Sequence, residues 1–262
     1  MSTQPNIAFG IDIGGSGIKG APVDLATGEF TESRVRIPTP EHSTPQAVSD
    51  VIAELIGEFD LDDDTPIGVA FPAPLDHGVV RIVANLDDSW VGVNIEDVIG
   101  ERIGRRVYSV NDADAAGFGE VAYGAARGEE GVVLLATLGT GIGSALIVDG
   151  TLVPNTELGH LELDGFDAET RAADSARTRE DLDWELWAAR LQRYFSHLEL
   201  LLSPDLIVVG GGVSKHHAQF LPLLSLRAKI IPAQLRNAAG ITGAAAYAAD
   251  RAMHDKKKFP LS

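Results

Sequence analysis

The stretch Ile7-Ala8-Phe9-Gly10-Ile11-Asp12-Ile13-Gly14-Gly15-Ser16-Gly17-Ile18-Lys19-Gly20-Ala21-Pro22-Val23 decides the fold. An apolar run over 7–13 meets a glycine-rich turn, and a second run follows over 18–23, so the segment reads as a β-hairpin. Gly14, Gly15 and Gly17, with Ser16 between them, carry little steric bulk, and their backbone N–H groups are free to converge on an anion. Lys19 adds a point charge, and Asp12 is a candidate for holding Mg²⁺ through water. A tight hairpin that binds nothing accounts for this turn, taken alone, at least as well. It is not a Walker A loop, which ends in Gly-Lys-Ser/Thr, and not a dinucleotide fingerprint, because a strand follows it.

The device recurs. Gly15-Ser16-Gly17-Ile18 followed by Ala21 matches Gly139-Thr140-Gly141-Ile142 followed by Ala145, again between apolar runs, over 132–138 and 142–148. Two strand–turn–strand units imply an α/β protein of two similar lobes, each presenting a glycine hairpin to a shared cleft. The expected division is 1–112 and 113–262, with a short hinge near Asp112.

The rest of the chain supports alternating strands and helices. Strands are expected at 35–37, 67–71, 107–110 and 206–209. Thr44-Pro45 reads as a cap and first helical residue, and Val48, Val51, Ile52, Leu55, Ile56 and Phe59 repeat at helical spacing. Residues 60–64 read as an acidic loop. Further helices are expected from Asp112 or Asp114 through Phe118, over 182–202, and over about 241–253, the last Ala-rich and free to pack back on the N-terminal lobe. Lys256, Lys257 and Lys258 read as a solvated basic end.

Composition sets outer limits. The 262 residues are 45% hydrophobic and 23% charged, which suits a folded globular chain. With no cysteine, disulfides and thiolate zinc sites are excluded, and a reducing, cytoplasmic setting is expected. The N-terminal residues lack a secretory pattern, and no run approaches a membrane span. A net charge of −17 disfavours general nucleic-acid binding but leaves room for a small anion held by local donors.

Three further segments carry candidate chemistry. Asn111-Asp112 closes a strand, where open α/β sheets bind ligands, and Asp112 is placed to accept a hydroxyl proton. Capping of the following helix is the competing role for Asp112. Glu157-Leu158-Gly159-His160 lies in a polar loop with an acid and an imidazole three apart, both able to bind a polyol. Gly210-Gly211-Gly212-Val213-Ser214, with Lys215 after it, follows a strand and suits a nucleotide's sugar and base or a plain strand-to-helix turn.

Together these motifs resemble the ROK family of sugar kinases, of the actin–hexokinase superfamily. The matching segments are DIGGSGIKG, NDADAAGFGE from Asn111, LGTGIGSAL, ELGH at 157–160 and VVGGGVSK, with FPAPLDHGVV and NLDDSW similar to the family's sugar-side loop. The resemblance covers about residues 7–250 and looks closest to the polyphosphate glucokinases, including those that use polyphosphate or ATP and accept glucose and mannose. It implies a two-lobed actin-like fold, a homodimer, and closure on the substrate. It implies Asp112 as base and Asn111, Glu157 and His160 on sugar hydroxyls. Asp12, Gly14, Gly15, Ser16, Gly17, Lys19, Gly139, Thr140, Gly141, Gly211, Gly212 and Lys215 would serve the phosphoryl donor and Mg²⁺. Most of the family carries a cysteine-rich zinc loop after Gly-His, ending near a sugar-binding Glu. This chain lacks those cysteines, so no structural zinc is expected, and Glu169 falls where that Glu would be. For a long polyanion, Lys19, Lys215, Arg227, Lys229 and Arg236 are candidates for a cationic path. A strictly ATP-dependent hexokinase is the alternative enzyme, and a sugar-responsive regulator of the same family the non-enzyme one. The regulators carry an N-terminal helix-turn-helix, whereas the first strand here is expected from Ile7.

Overall fold

The computed structural model describes residues 6–84 and 86–258. It forms two compact units, one of residues 1–122 with 238–262 and one of residues 123–237.

In the first unit, β1 (Ile7–Gly14) and β2 (Gly17–Asp24) form the expected hairpin and β3 (Val35–Ile37) adds to its edge. Helix α1 (Pro45–Gly57) starts where Thr44 Oγ1 accepts the N–H of Ala47 at 3.3 Å. Strand β4 (Ile67–Phe71) pairs parallel with β1. A small ribbon, β5 (Leu75–Asp76) and β6 (Val79–Val80), precedes α2 (Ile95–Ile103). Strand β7 (Val107–Asn111) pairs parallel with β4 and runs directly into α3 (Asp112–Tyr123). The sheet order is β3-β2-β1-β4-β7.

The second unit repeats this plan. Strands β8 (Val132–Leu138), β9 (Ile142–Val148) and β10 (Thr151–Val153) are antiparallel neighbours. A short hairpin, β11 (Glu162–Leu163) and β12 (Phe166–Asp167), leads to α4 (Glu169–Ala172), α5 (Asp174–Arg179) and the long α6 (Trp184–Leu202). Strands β13 (Leu206–Gly210) and β14 (Lys229–Pro232) complete a parallel edge, giving the order β10-β9-β8-β13-β14. Counted along the chain, both five-stranded sheets therefore run third-second-first-fourth-fifth, so the repeated letters of the two hairpins mark repeated topology.

Helix α7 (Ala239–Lys258) closes the chain and belongs to the first unit. Strand alternation decides what each sheet face meets. Phe9, Ile11 and Ile13 point into the core shared with α1 and α2, each fully buried and worth about 1.5–3 kcal/mol. Ala8 faces the other way, with Ala21, Val23, Ile241, Ala245 and Ala249. On that side Gly10 and Gly68 leave no room for a side chain. A Cβ on either would stand 1.9 Å from a carbonyl oxygen of α7, that of Ile241 or Ala244.

The compact units part after Ala122, in the last turn of α3. Helix α3 is continuous past the expected boundary, and its Phe118 packs edge-on against Tyr247 of α7 at 5.9 Å. No helix among the described residues is long and apolar enough to cross a membrane.

Candidate active site

In the first unit β1, β4 and β7 are parallel, so their carboxyl ends share one edge of the sheet. Asp12 lies there, in register with Ala70 on one side and with Lys19 across the hairpin. Lys19 Nζ donates to Asp12 Oδ2 at 3.3 Å, and both side chains are part-buried. Gly240 keeps space beside this carboxylate, since a Cβ there would come within 3.1 Å of its Cγ. The partly open, oxygen-only donor fits Mg²⁺ held through water. The turn at Gly14, Gly15, Ser16 and Gly17 is held from β3 and the residues after it: the Arg36 guanidinium donates to the Ser16 carbonyl and Thr39 Oγ1 to the Gly14 carbonyl. Arg36 is the register partner of Lys19, so two cations attend this turn where the sequence reading named one.

Asn111 ends β7, buried, and its Oδ1 accepts the N–H groups of Ala113 at 2.9 Å and Asp114 at 3.1 Å. Asn111 thus caps α3 through its amide oxygen. Asp112 is exposed at the first turn of α3, with Oδ1 accepting from the Ala113 N–H at 2.8 Å. A carboxylate there sits in the favourable field of the helix N-terminus.

In the second unit the Gly139-Thr140-Gly141 turn joins β8 to β9 at the carboxyl edge of that sheet. The segment after the β11–β12 hairpin holds it. Ser175 donates from its backbone to Gly139 O at 3.0 Å and from Oγ to Thr140 O at 2.6 Å. Glu169 Oε2 accepts the Ile142 N–H at 2.9 Å. A Cβ at Gly141 would stand 2.3 Å from that oxygen, so a larger residue there would make the Glu169 carboxylate swing away.

Glu157 precedes and His160 ends a single 3₁₀ turn, Leu158–His160, pressed on the start of β9, with Leu158 N–H on Ser144 Oγ at 3.0 Å. The hairpin then folds back through Asp164-Gly165, both with positive φ, and returns Asp167 to His160. His160 Nδ1 meets Asp167 Oδ2 at 2.9 Å, and Asp167 Oδ1 accepts the Glu169 N–H at 3.2 Å. The hydrogen bond to Asp167 raises His160 above its ordinary value; burial opposes this, and Glu169 and Glu157 reinforce it. Glu157 is raised chiefly by burial of its carboxyl group, with Glu169 adding and His160 opposing. His160, Asp167 and Glu169 each place a potential ligand atom within 4.8 Å of the others. Their atoms are already engaged with one another and with Ile142, so a cation there would have to displace those bonds.

The third glycine turn follows β13. Gly211 has φ +82, and a Cβ on it would stand 2.2 Å from Leu138 O, so close packing alone explains this glycine. Gly212 opens a 3₁₀ segment, Gly212–Gln219, rather than the expected helix, and Lys215 is exposed on it. Lys229 stands at the amino end of β14, opposite Leu206 at the start of β13, and pairs with Glu129 at 3.6 Å. It is therefore at the opposite end of these parallel strands from Gly210. In the FPAPLDHGVV to NLDDSW region Asn85 lies outside the described residues, as do the side chains of Lys256, Lys257 and Lys258. Arg36 and Asp167 are the site-side residues the motif reading missed. The Asp164-Gly165 pair, flanked by Leu163 and Phe166, was the hairpin signal that leads to Asp167.

The ROK family model matches residues 8–174. The chain is also 47% identical over 245 residues to a polyphosphate glucokinase of Mycobacterium tuberculosis, spanning 93% of this chain and 92% of that one. The chain belongs to the ROK family. Among solved structures of relatives, a polyphosphate/ATP-glucomannokinase from an Arthrobacter species matches 94% of this chain and 100% of its own, with TM-score 0.88 and 51% identity. A ROK glucokinase from Streptomyces griseus shares the fold at TM-score 0.75 and 24% identity, over 93% of this chain and 99% of its own. The two-lobed actin-like fold of ROK kinases is thus the fold of this chain, and the two sheets of identical order are its repeated halves.

Proposed function

We propose that this ROK chain is a glucokinase that moves the terminal phosphoryl group of inorganic polyphosphate or ATP to the 6-hydroxyl of glucose, with mannose as a second acceptor. The observation that carries this is near-full-length likeness, at about half identity, to relatives that bear those activities in their names.

Asp112 takes the hydroxyl proton as the sugar oxygen bonds to phosphorus. The bond from that phosphorus to its bridging oxygen breaks, and ADP or a polyphosphate one unit shorter leaves. Asp112 stands exposed at the first turn of α3, where the helix N-terminus favours a negative charge. Glu157, His160 and the Asn111 amide bind sugar hydroxyls and orient the 6-hydroxyl. Glu169 supports them from the loop it braces. The turns with Gly14, Gly15, Ser16, Gly17 and Lys19, with Gly139, Thr140 and Gly141, and with Gly211, Gly212 and Lys215 serve the donor through backbone N–H groups and point charges. Mg²⁺ near Asp12 would neutralise phosphate charge. A cytoplasmic homodimer completes the reading, and the absence of cysteine suits a reducing compartment.

The test is glucose 6-phosphate formation with polyphosphate and ATP compared at equal phosphoryl concentration. Product from both donors supports the reading. Product from ATP alone leaves a strictly ATP-dependent hexokinase, and product from neither overturns the assignment.

A further inference from the structure

We infer that Asp167 is the positioning residue for the His160 imidazole, taking the ring by one nitrogen so that the other is presented to the sugar; this rests on His160 as a sugar ligand. The geometry has three parts. The Asp164-Gly165 turn reverses the chain, and the Glu162↔Asp167 register returns Asp167 beside a histidine seven residues earlier. Asp167 Oδ2 then stands 2.9 Å from His160 Nδ1. Its Oδ1 takes the Glu169 N–H at 3.2 Å, and Thr170 Oγ1 donates to its carbonyl at 2.6 Å. One carboxylate therefore fixes both the imidazole and the first residue of α4, whose own carboxylate holds the Gly139-Thr140-Gly141 turn through Ile142.

The chemistry follows from what an ionised carboxylate can do. It only accepts hydrogen bonds, so Nδ1 must carry the proton. In the neutral ring Nε2 is then an acceptor for a sugar hydroxyl, and in the protonated ring a donor. In both states the ring plane is set by Asp167. An exposed His–Asp pair is worth little as a stability element, and these side chains are 56% and 40% exposed. Its value lies in orientation, and the charges acting on His160 are all acidic: Asp167, Glu169 and Glu157.

The experiment uses the full chain labelled with ¹⁵N-histidine, with His160 identified by loss of its signals in His160→Gln. Long-range ¹H–¹⁵N spectra read the tautomer and titration midpoint, and steady-state kinetics read glucose KM and kcat. In the wild type we expect the Nδ1–H tautomer and a midpoint above 6.5, the value from which His160 is raised. Asp167→Ala should turn the ring to the Nε2–H form that free imidazole favours. Its glucose KM should rise about tenfold or more, the scale of one charge-assisted hydrogen bond, with kcat less affected. Asp167→Asn keeps an acceptor oxygen without the charge, so the tautomer and KM should stay near wild type while the midpoint falls. It also carries the test should the alanine variant fold poorly. An unchanged tautomer in Asp167→Ala, whatever KM does, overturns the inference, as does an unchanged midpoint in Asp167→Asn. A wild type with the expected tautomer that binds no glucose overturns the functional reading instead.

Discussion

Glu169 and Ile142 tie the segment after the β11–β12 hairpin to the Gly139-Thr140-Gly141 turn: the Glu169 carboxylate accepts the backbone N–H that follows the turn, at 2.9 Å. Removing it should loosen both. We expect Glu169→Ala to raise KM about tenfold for donor and for glucose, the scale of a hydrogen bond to a charged acceptor. Gly141→Ala should act alike, because its Cβ would push the same carboxylate away. Steady-state kinetics with both substrates varied check this. A change in glucose KM alone would show that the brace does not reach the turn.

Arg36 supports the first glycine turn by donating to the Ser16 carbonyl beside Lys19. Arg36→Ala should raise donor KM severalfold and leave glucose KM unchanged. The effect should be larger for polyphosphate than ATP and shrink with salt, because an exposed charge is screened over about 8 Å at physiological ionic strength. Donor KM unaffected at low salt would remove Arg36 from the donor site.

Glu157 makes two pH effects separable. Its carboxyl pKa is raised on folding, so its ionised form opposes the folded state above that raised value, and this cost is lost as pH falls through it. Glu157 is exposed, so solvent screens most of that cost, and Glu157→Gln should leave Tm at pH 7 unchanged or slightly raised while weakening glucose binding. Wild-type glucose affinity should fall as pH drops through a midpoint above 4.5. Differential scanning calorimetry and titration calorimetry read both, and a lower Tm for Glu157→Gln would contradict the burial argument.

The close seat of α7 gives a stability test away from the chemistry. Gly68→Ala would place a methyl 1.9 Å from Ala244 O, a backbone atom of α7 that cannot swing aside. Overpacking typically costs about 1–3 kcal/mol, and backbone as the obstacle puts this variant at or above the upper end. Urea unfolding should show a lower midpoint. An unchanged midpoint would mean that α7 shifts freely on the sheet.

Much of this was legible in the chain because its signals are local. The two hairpins, the Thr44-Pro45 helix start and the strand into Asn111 are set by residues within a few positions of each other. Helix α2 was missed although Asn94 caps it and Gly104, at φ +67, ends it; nine residues give too few turns for periodicity to stand out. Strand β14 was missed because it is a four-residue edge strand ending in Pro232. A glycine turn after a strand often starts a helix, but the 212–219 segment forms 3₁₀ turns instead. Motifs named Asp112, Glu157 and His160, but not what holds them. Arg36 reaches Ser16 only through strand register, and Asp167 reaches His160 only once the hairpin closes.

Asp112 is the centre of the functional reading, and one substitution addresses it. Asp112→Asn keeps the side chain's shape and its oxygen for the Ala113 N–H, and removes the basicity. Loss of a general base typically costs about 10²–10⁴ in rate. The measurement is kcat for glucose 6-phosphate formation in this variant, beside its calorimetric glucose affinity. We expect kcat to fall within that range with glucose affinity kept within a few fold, whereas near-normal kcat would contradict the assignment of Asp112 as the base.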